Sequence, residues 1–278
     1  MNVGTLFTKS ARSFPERPAI AYGDYELTYR EADARINQLA NALRGLGIQK
    51  GSNIAIVLHN CPEFIEMLFA CFKAGIGTVP INFRLHPREC AFIIDNSEAV
   101  AVLLGEDFRD SLYSLRAEMP RIKHYICISD VLPGMISYDK LLEGESASFQ
   151  DETVERDDLA WLFYTSGTTG RPKGAMLTHH VLMTMTMNFY ADIAPLGPED
   201  AVLHAAPLSH GSGLYCIPNV GKAAANVILA SKSFEPKVVF ETIQKRKVTN
   251  VFMAPAMIKR LVASPEFGRY DLSSMKCI

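Results

Sequence analysis

Apolar and polar positions follow two rhythms along this chain, and the change from one to the other marks out its elements. After Thr28-x-x-Glu31, a helix-opening capping box, Ala32, Ile36, Leu39, Ala40, Leu43 and Leu46 recur at helical spacing, and Gly45 and Gly47 close the segment. A short apolar run at 53–58 predicts a strand, Pro62 opens a helix that Gly75 closes, and 78–81 predicts a second strand. A helix beginning near Pro87 and an apolar strand at 99–104 follow. Apolar strands separated by helices predict an α/β fold with mixed, largely parallel sheets and helices on both faces.

Residues 129–157 interrupt that alternation. Pro133, Gly134, Gly144 and the acidic run at 151–158 predict a surface connection, which divides the chain into subdomains at 1–157 and 158–278. Strands are predicted again at 159–164, 174–177, 201–205, 226–230 and 250–253. Thr178 caps one helix, and Pro236 and Pro255 open two more. The residues at 274–278 predict the start of another strand, so the chain reads as part of a longer protein.

The densest chemistry lies at Tyr164-Thr-Ser-Gly-Thr-Thr-Gly-Arg-Pro-Lys-Gly174. Glycines let backbone N–H groups approach an anion, the hydroxyls of Thr165, Ser166, Thr168 and Thr169 donate further bonds, and Lys173 adds a compact positive charge. The apolar run before it feeds the loop from a buried strand, and open α/β sheets bind ligands at the carboxyl ends of strands. This is not a Walker loop. Counted from Gly167, Pro172 stands where that motif needs its second glycine, and Gly174 replaces the Ser or Thr that would hold magnesium. The bland alternative, a Gly/Thr turn with a solvated lysine, does not account for so many phosphate-binding groups in one string.

The string resembles the phosphate-binding loop of the adenylate-forming superfamily of acyl-CoA synthetases, aryl-CoA ligases, luciferases and peptide-synthetase adenylation domains. Leu27-Thr-Tyr-Arg-Glu31, the segment from Asn53 to Pro80, and Ala206-Pro-Leu-Ser-His-Gly211 resemble further family segments in the right order. The resemblance covers the whole chain but only the first half of the family pattern: the Y-G-x-T-E and T-G-D motifs, the hinge and the carboxy-terminal lid domain are absent. It implies an incomplete adenylate-forming amino-terminal domain in two subdomains, a fragment inactive alone. The parent activity it implies is ATP-dependent activation of a carboxylic acid to an acyl-adenylate, then to a CoA thioester, with ATP, Mg²⁺ and coenzyme A as cofactors and co-substrates.

On that resemblance Thr165, Ser166, Gly167, Thr168, Thr169, Gly170 and Lys173 hold the β- and γ-phosphates, and Thr165 also reaches magnesium. Lys173 and His210 are the catalytic candidates; His210 borders the acyl and CoA pocket, and Gly211 keeps the backbone thin beside it. Arg171 reads as a solvated loop arginine. Ser212 is not a hydrolase elbow, because G-x-S-x-G would need glycine at 210. His179 and His180 read as interfacial, Trp161 as core, and Met183, Met185 and Met187 as core first and acyl-tunnel lining second. The acid is left open, with a lean towards fatty or aryl acids. A non-catalytic nucleotide- or acyl-binding module is the alternative.

Composition changes this picture little. Of 278 residues 48% are hydrophobic and 21% charged, as in a globular enzyme. A net charge of −2 excludes a sequence-independent nucleic-acid partner, and Lys245-Arg246-Lys247 falls where a helix end favours cations. Six scattered cysteines form no C-x-x-C and no cluster with histidine, which predicts neither a zinc site nor a disulfide framework and points to a cytoplasmic setting. Residues 1–15 hold no apolar signal core. The longest apolar stretch, 64–72, is interrupted by Glu66 and too short for an integral membrane segment, although a lipid substrate leaves peripheral association open.

Overall fold

The computed structural model describes residues 1–165 and 172–278. In chain order the strands are β1 (Pro18–Tyr22), β2 (Tyr25–Thr28), β3 (Asn53–Val57), β4 (Gly77–Pro80), β5 (Ala99–Leu104) and β6 (His124–Cys127). They continue with β7 (Ile136–Ser137), β8 (Leu159–Thr165), β9 (Lys173–Thr178), β10 (Ala201–His204), β11 (Ala225–Ile228) and β12 (Asn250–Val251). The helices are α1 (Thr5–Ser13), α2 (Tyr29–Gly45), α3 (Pro62–Lys73), α4 (Pro87–Asn96), α5 (Glu106–Ser114) and α6 (Tyr138–Leu142). After them come α7 (His179–Asn188), α8 (Gly211–Leu214), α9 (Cys216–Gly221), α10 (Pro236–Arg246) and α11 (Pro255–Val262).

The chain forms two compact units, each discontinuous in sequence. The first holds Met1–Thr5, Ala34–His59 and Glu63–Thr184; the second holds Leu6–Asp33, Asn60–Pro62 and Met185–Ile278. This corrects the expected boundary after residue 157. β8 pairs with β4 and β9 with β8, so both strands complete the first sheet, while β1 pairs with β11 in the other. Hydrogen-bonded pairing, which hydrophobic periodicity does not encode, decides membership.

In the first unit the strands run in the order β7-β6-β5-β3-β4-β8-β9, parallel throughout except for the antiparallel β8–β9 pair. α4 covers this sheet with Cys90, Ala91, Ile93 and Ile94 packed on Ala55, Val57, Val79, Val102 and Leu104. Its start is held by a capping box. Arg88 N–H donates to the His86 ring at 3.3 Å, and the Glu89 carboxylate accepts the His86 N–H at 2.9 Å. α3 is mostly apolar and is buried along its length apart from the half-buried Glu63. The Glu66 that interrupts its apolar run is buried too. Arg35 forks onto its two oxygens at 2.7 and 3.1 Å, and the Tyr138 hydroxyl donates to it at 2.5 Å. Paired and fully hydrogen-bonded, the carboxylate tolerates burial.

In the second unit the order is β12-β10-β11-β1-β2, parallel apart from the β1–β2 hairpin. Val239, Phe240 and Ile243 of α10 and Leu261 of α11 pack on Ala21, Leu203, Val227 and Val251. The capping box at the start of α2 forms as expected: Glu31 accepts the Thr28 N–H at 2.8 Å and Glu31 N–H donates to the Thr28 hydroxyl at 3.2 Å. Lys245 and Arg246 end α10 and pair with Asp24 and Glu26 of the hairpin. Cys277 bridges to Asn250 in the parallel sense, the strand start anticipated at the last residues.

Candidate functional site

β8 and β9 form an antiparallel ribbon in which Thr165 stands directly opposite Lys173. Both side chains are exposed. Directly opposed residues hold their Cβ atoms about 5 Å apart, so the two side chains leave the same face of the ribbon as neighbours. The other candidates of that loop, Ser166, Gly167, Thr168, Thr169 and Gly170, lie outside the described residues, as does Arg171. The stem itself is well built. Tyr164 donates its hydroxyl to Asn96 at 2.7 Å, and its ring lies across Gly174, where an added Cβ would come within 3.0 Å of it. Trp161, on the same strand, is fully buried, as the core reading expected.

β9 runs into α7, whose first turn is capped by the Thr178 hydroxyl accepting from Val181 N–H at 3.2 Å. His179 then turns inward and is fully buried, whereas His180 is exposed. Of the neighbouring methionines, Met187 is 51% exposed, which removes it from the core expected of that helix face.

His210 lies in the second unit, at the start of α8. It is half-buried, and its Nδ1 is 3.0 Å from the Ser209 hydroxyl. A Cβ on the next residue, Gly211, would meet the Phe252 ring at 3.0 Å, so glycine admits the ring here. Phe252 stands edge-on to Tyr215 with centroids 5.1 Å apart, and the Phe189 ring also lies 5.1 Å from Tyr215. Phe189, Tyr215 and Phe252 thus form a run of ring contacts that meets the backbone at Gly211.

Two side chains that no motif announced hold this segment. Asn60 accepts the Leu208 N–H at 2.9 Å and donates to Ala206 O at 2.9 Å and to His204 O at 3.3 Å. His204, the last residue of β10, is buried with Nδ1 2.9 Å from the Ser212 hydroxyl and Nε2 3.0 Å from Asn226 Oδ1. Burial pushes its pKa down to about 4, so the ring is neutral at pH 7. The only advance signal was position: an asparagine shortly after a strand, and a histidine near the carboxyl end of one. In the first unit, His59 Nε2 lies 3.0 Å from Asp107 Oδ2, beyond the carboxyl ends of β3 and β5. Its ring packs on Phe83 and Phe108 at 4.5 and 5.3 Å. The crossovers leaving β3 and β5 diverge there, as at the switch points of open sheets.

Among the described residues no group of three or more His, Cys, Asp or Glu side chains is arranged to hold a metal. Thr165 offers one hydroxyl oxygen, a hard donor of the kind Mg²⁺ accepts alongside substrate phosphates. No helix among the described residues is long and apolar enough to cross a membrane.

Two mostly parallel sheets, one of them ending in the β8–β9 pair on either side of a sequence rich in Gly, Thr, Ser and Lys, make up the chain. The chain belongs to the AMP-binding enzyme family, whose sequence profile matches residues 7–278. It is 34% identical over 282 residues to a feruloyl-CoA synthase from Amycolatopsis sp, covering 99% of this chain and 53% of that protein. It is 33% identical over 247 residues to a crotonobetaine/carnitine–CoA ligase from Escherichia coli, covering 86% of this chain and 47% of the relative. The chain thus spans about half the length of the curated relatives it matches. Among solved structures, an anthranilate CoA ligase, AuaEII, in complex with anthranoyl-AMP superposes with a TM-score of 0.94 at 25% identity over 100% of this chain and 54% of its own. The inhibitor-bound amino-terminal domain of FACL13 from Mycobacterium tuberculosis gives 0.88 at 26% identity, covering 99% of this chain and 68% of that one.

Proposed function

We propose that the complete protein is an AMP-forming acid–CoA ligase that activates a fatty or aryl carboxylic acid. The observation that carries this reading is the string Thr165–Lys173 on an antiparallel stem at the carboxyl end of β8, in a chain of the AMP-binding enzyme family. In the first half-reaction the substrate carboxylate attacks the α-phosphorus of ATP, forming the acyl-adenylate and expelling pyrophosphate. In the second, the CoA thiol attacks the acyl carbon and AMP leaves.

Neither step requires a protein nucleophile, so the chain's contribution is to orient reactants and neutralise charge. Lys173, exposed at the mouth of the stem, supplies a positive charge to the departing β- and γ-phosphates. Ser166, Thr168, Thr169 and the amides of Gly167 and Gly170 add donors, and the Thr165 hydroxyl serves a phosphate-bound Mg²⁺. When bound, that ion withdraws charge from the phosphates. His210 and Gly211, with Phe252 and Tyr215 beside them, form the wall against which the acyl group and the CoA thiol meet. The relatives and neighbours named above act on or bind aryl and other acids, which supports the acid class without selecting one member. All six cysteines are free, which suits a reducing, cytoplasmic setting.

The test is to incubate the complete protein with ATP, MgCl₂, CoA and a panel of aryl and straight-chain acids, and to detect thioesters by mass. A thioester with at least one acid and equimolar AMP is expected. Nucleotide or acyl binding without turnover across the panel overturns the ligase reading in favour of a binding module.

A further inference from the structure

We propose that Asn60 and His204 are positioning residues that hold His210 in place for the ligase reaction, an inference that rests on the reading of the previous subsection. Between the end of β10 at His204 and the start of α8 at Gly211 the backbone belongs to no strand or helix; Leu229 N–H donates to His204 O at 3.4 Å, and a turn joins His210 N–H to Pro207 O at 3.1 Å. Polar backbone groups in such a segment need other partners to be fixed. The Asn60 carboxamide supplies them at alternate residues, through contacts with the 204 and 206 carbonyls and the 208 N–H. Only an amide combines that acceptor with two donors; aspartate would lose both donations and leucine all three.

The second anchor lies beyond His210. Asn226 directs its Nδ2 to Ala19 O at 3.3 Å, and its Oδ1 accepts from Asn219 Nδ2 at 3.0 Å. That oxygen is an acceptor, so His204 carries its proton on Nε2 and donates it there. Nδ1 is then left to accept the Ser212 hydroxyl. The last residue of β10 is thereby tied to the second residue of α8. His210 hangs between Leu208, held by Asn60, and Ser212, held by His204. The Ser–His–Asn order resembles an acyl-transfer triad. Ser212, His204 and Asn226 are all buried, so no substrate carbonyl reaches the hydroxyl, and the arrangement fixes geometry. The neutral ring, its proton affinity lowered by burial, also keeps the anchor unchanged through the neutral pH range.

The experiment uses the complete protein with Asn60→Ala, Asn60→Asp, His204→Phe and His210→Ala, and each of Asn60→Ala and His204→Phe combined with His210→Ala. Hydrogen exchange of peptides spanning 205–213 should be about tenfold faster in Asn60→Ala, with distant peptides unchanged. Unaltered exchange overturns the clamp. In thioester formation the same variant should raise KM for the acid and CoA about tenfold while KM for ATP stays within about twofold. A merely structural defect would reduce kcat and leave every KM alone, which overturns the positioning role. In the His210→Ala background neither Asn60→Ala nor His204→Phe should cost anything further, and multiplying losses overturn the proposal. Asn60→Asp keeps the Leu208 acceptor but sets a carboxylate oxygen against the 204 and 206 carbonyls, so it should loosen the segment at least as much as alanine; if the alanine variant does not fold, His204→Phe carries the same comparisons. A wild type that forms no thioester refutes the ligase reading and with it the catalytic role, whereas the exchange result alone decides whether Asn60 holds the segment.

Discussion

Acid should destabilise the first unit through a histidine that the fold keeps neutral. His179 is fully buried, and its Nδ1 accepts the Val3 N–H at 3.2 Å, so the ring proton sits on Nε2. Nε2 has no hydrogen-bond partner among the described residues, and Phe72 packs edge-on to the ring with centroids 6.2 Å apart. Burial pushes its pKa from 6.5 down to about 4; Asp158 opposes the change, and the amino terminus and Lys50 reinforce it. Above pH 6.5 the ring is neutral in folded and unfolded chains, and its contribution to stability is complete. Between pH 6.5 and about 4 the unfolded chain binds a proton that the folded chain does not, so stability falls with pH; below that window the loss stops growing. The window corresponds to about 3 kcal/mol.

Trp161 is the only tryptophan and is buried in the same unit, so its fluorescence reports urea unfolding of that unit. In His179→Asn the amide oxygen takes the place of Nδ1 as acceptor for Val3 and does not titrate. From pH 7 to pH 4 the wild type should lose about 3 kcal/mol more than this variant, all other titrating groups being shared. Stability curves that run parallel across that range would refute the reasoning.

Other perturbations follow from the same unit. A Cβ on Gly4 would lie 2.5 Å from the Lys73 backbone nitrogen and 2.8 Å from its Cα, so Gly4→Ala must displace main chain. It should cost about 1–3 kcal/mol by the same unfolding assay, and an unmoved urea midpoint contradicts it. Glu66→Ala removes the carboxylate that the Arg35 guanidinium and the Tyr138 hydroxyl share. Arg35 is 30% exposed and is partly rehydrated, which sets the expected loss near the lower end for a broken buried pair, about 3 kcal/mol. A loss below about 1 kcal/mol would show that the pair is not buried in solution.

Local chemistry was legible in the sequence wherever it determines local structure. Prolines at 62, 87, 236 and 255 open helices where expected, and the Thr28–Glu31 box forms. Strands form on both sides of the Thr165–Lys173 string where the apolar runs implied them, but their antiparallel pairing, with Thr165 opposite Lys173, was not anticipated. Long-range pairing was not legible. β1 and β2 are short, and β1 finds its partner β11 some two hundred residues later, so nothing near Pro18 marks it as a strand of the second sheet. Glu66 reads in sequence as a break in an apolar run; only the arrival of Arg35 and Tyr138 turns it into a buried ion pair. Asn60 and His204 escaped because a single amide or imidazole carries no motif until the fold brings 204–212 against them.

On the proposed function, the Thr165–Lys173 segment grips the pyrophosphate end of ATP while a carboxylate attacks. Exchange of labelled pyrophosphate into ATP by the complete protein measures that step without CoA. Exchange should depend on the carboxylic acid and fall by about a hundredfold in Lys173→Ala. Lys173 is exposed, so the folded fraction of the variant should match the wild type. Exchange that needs no acid, or that Lys173→Ala leaves at the wild-type rate, would contradict that function.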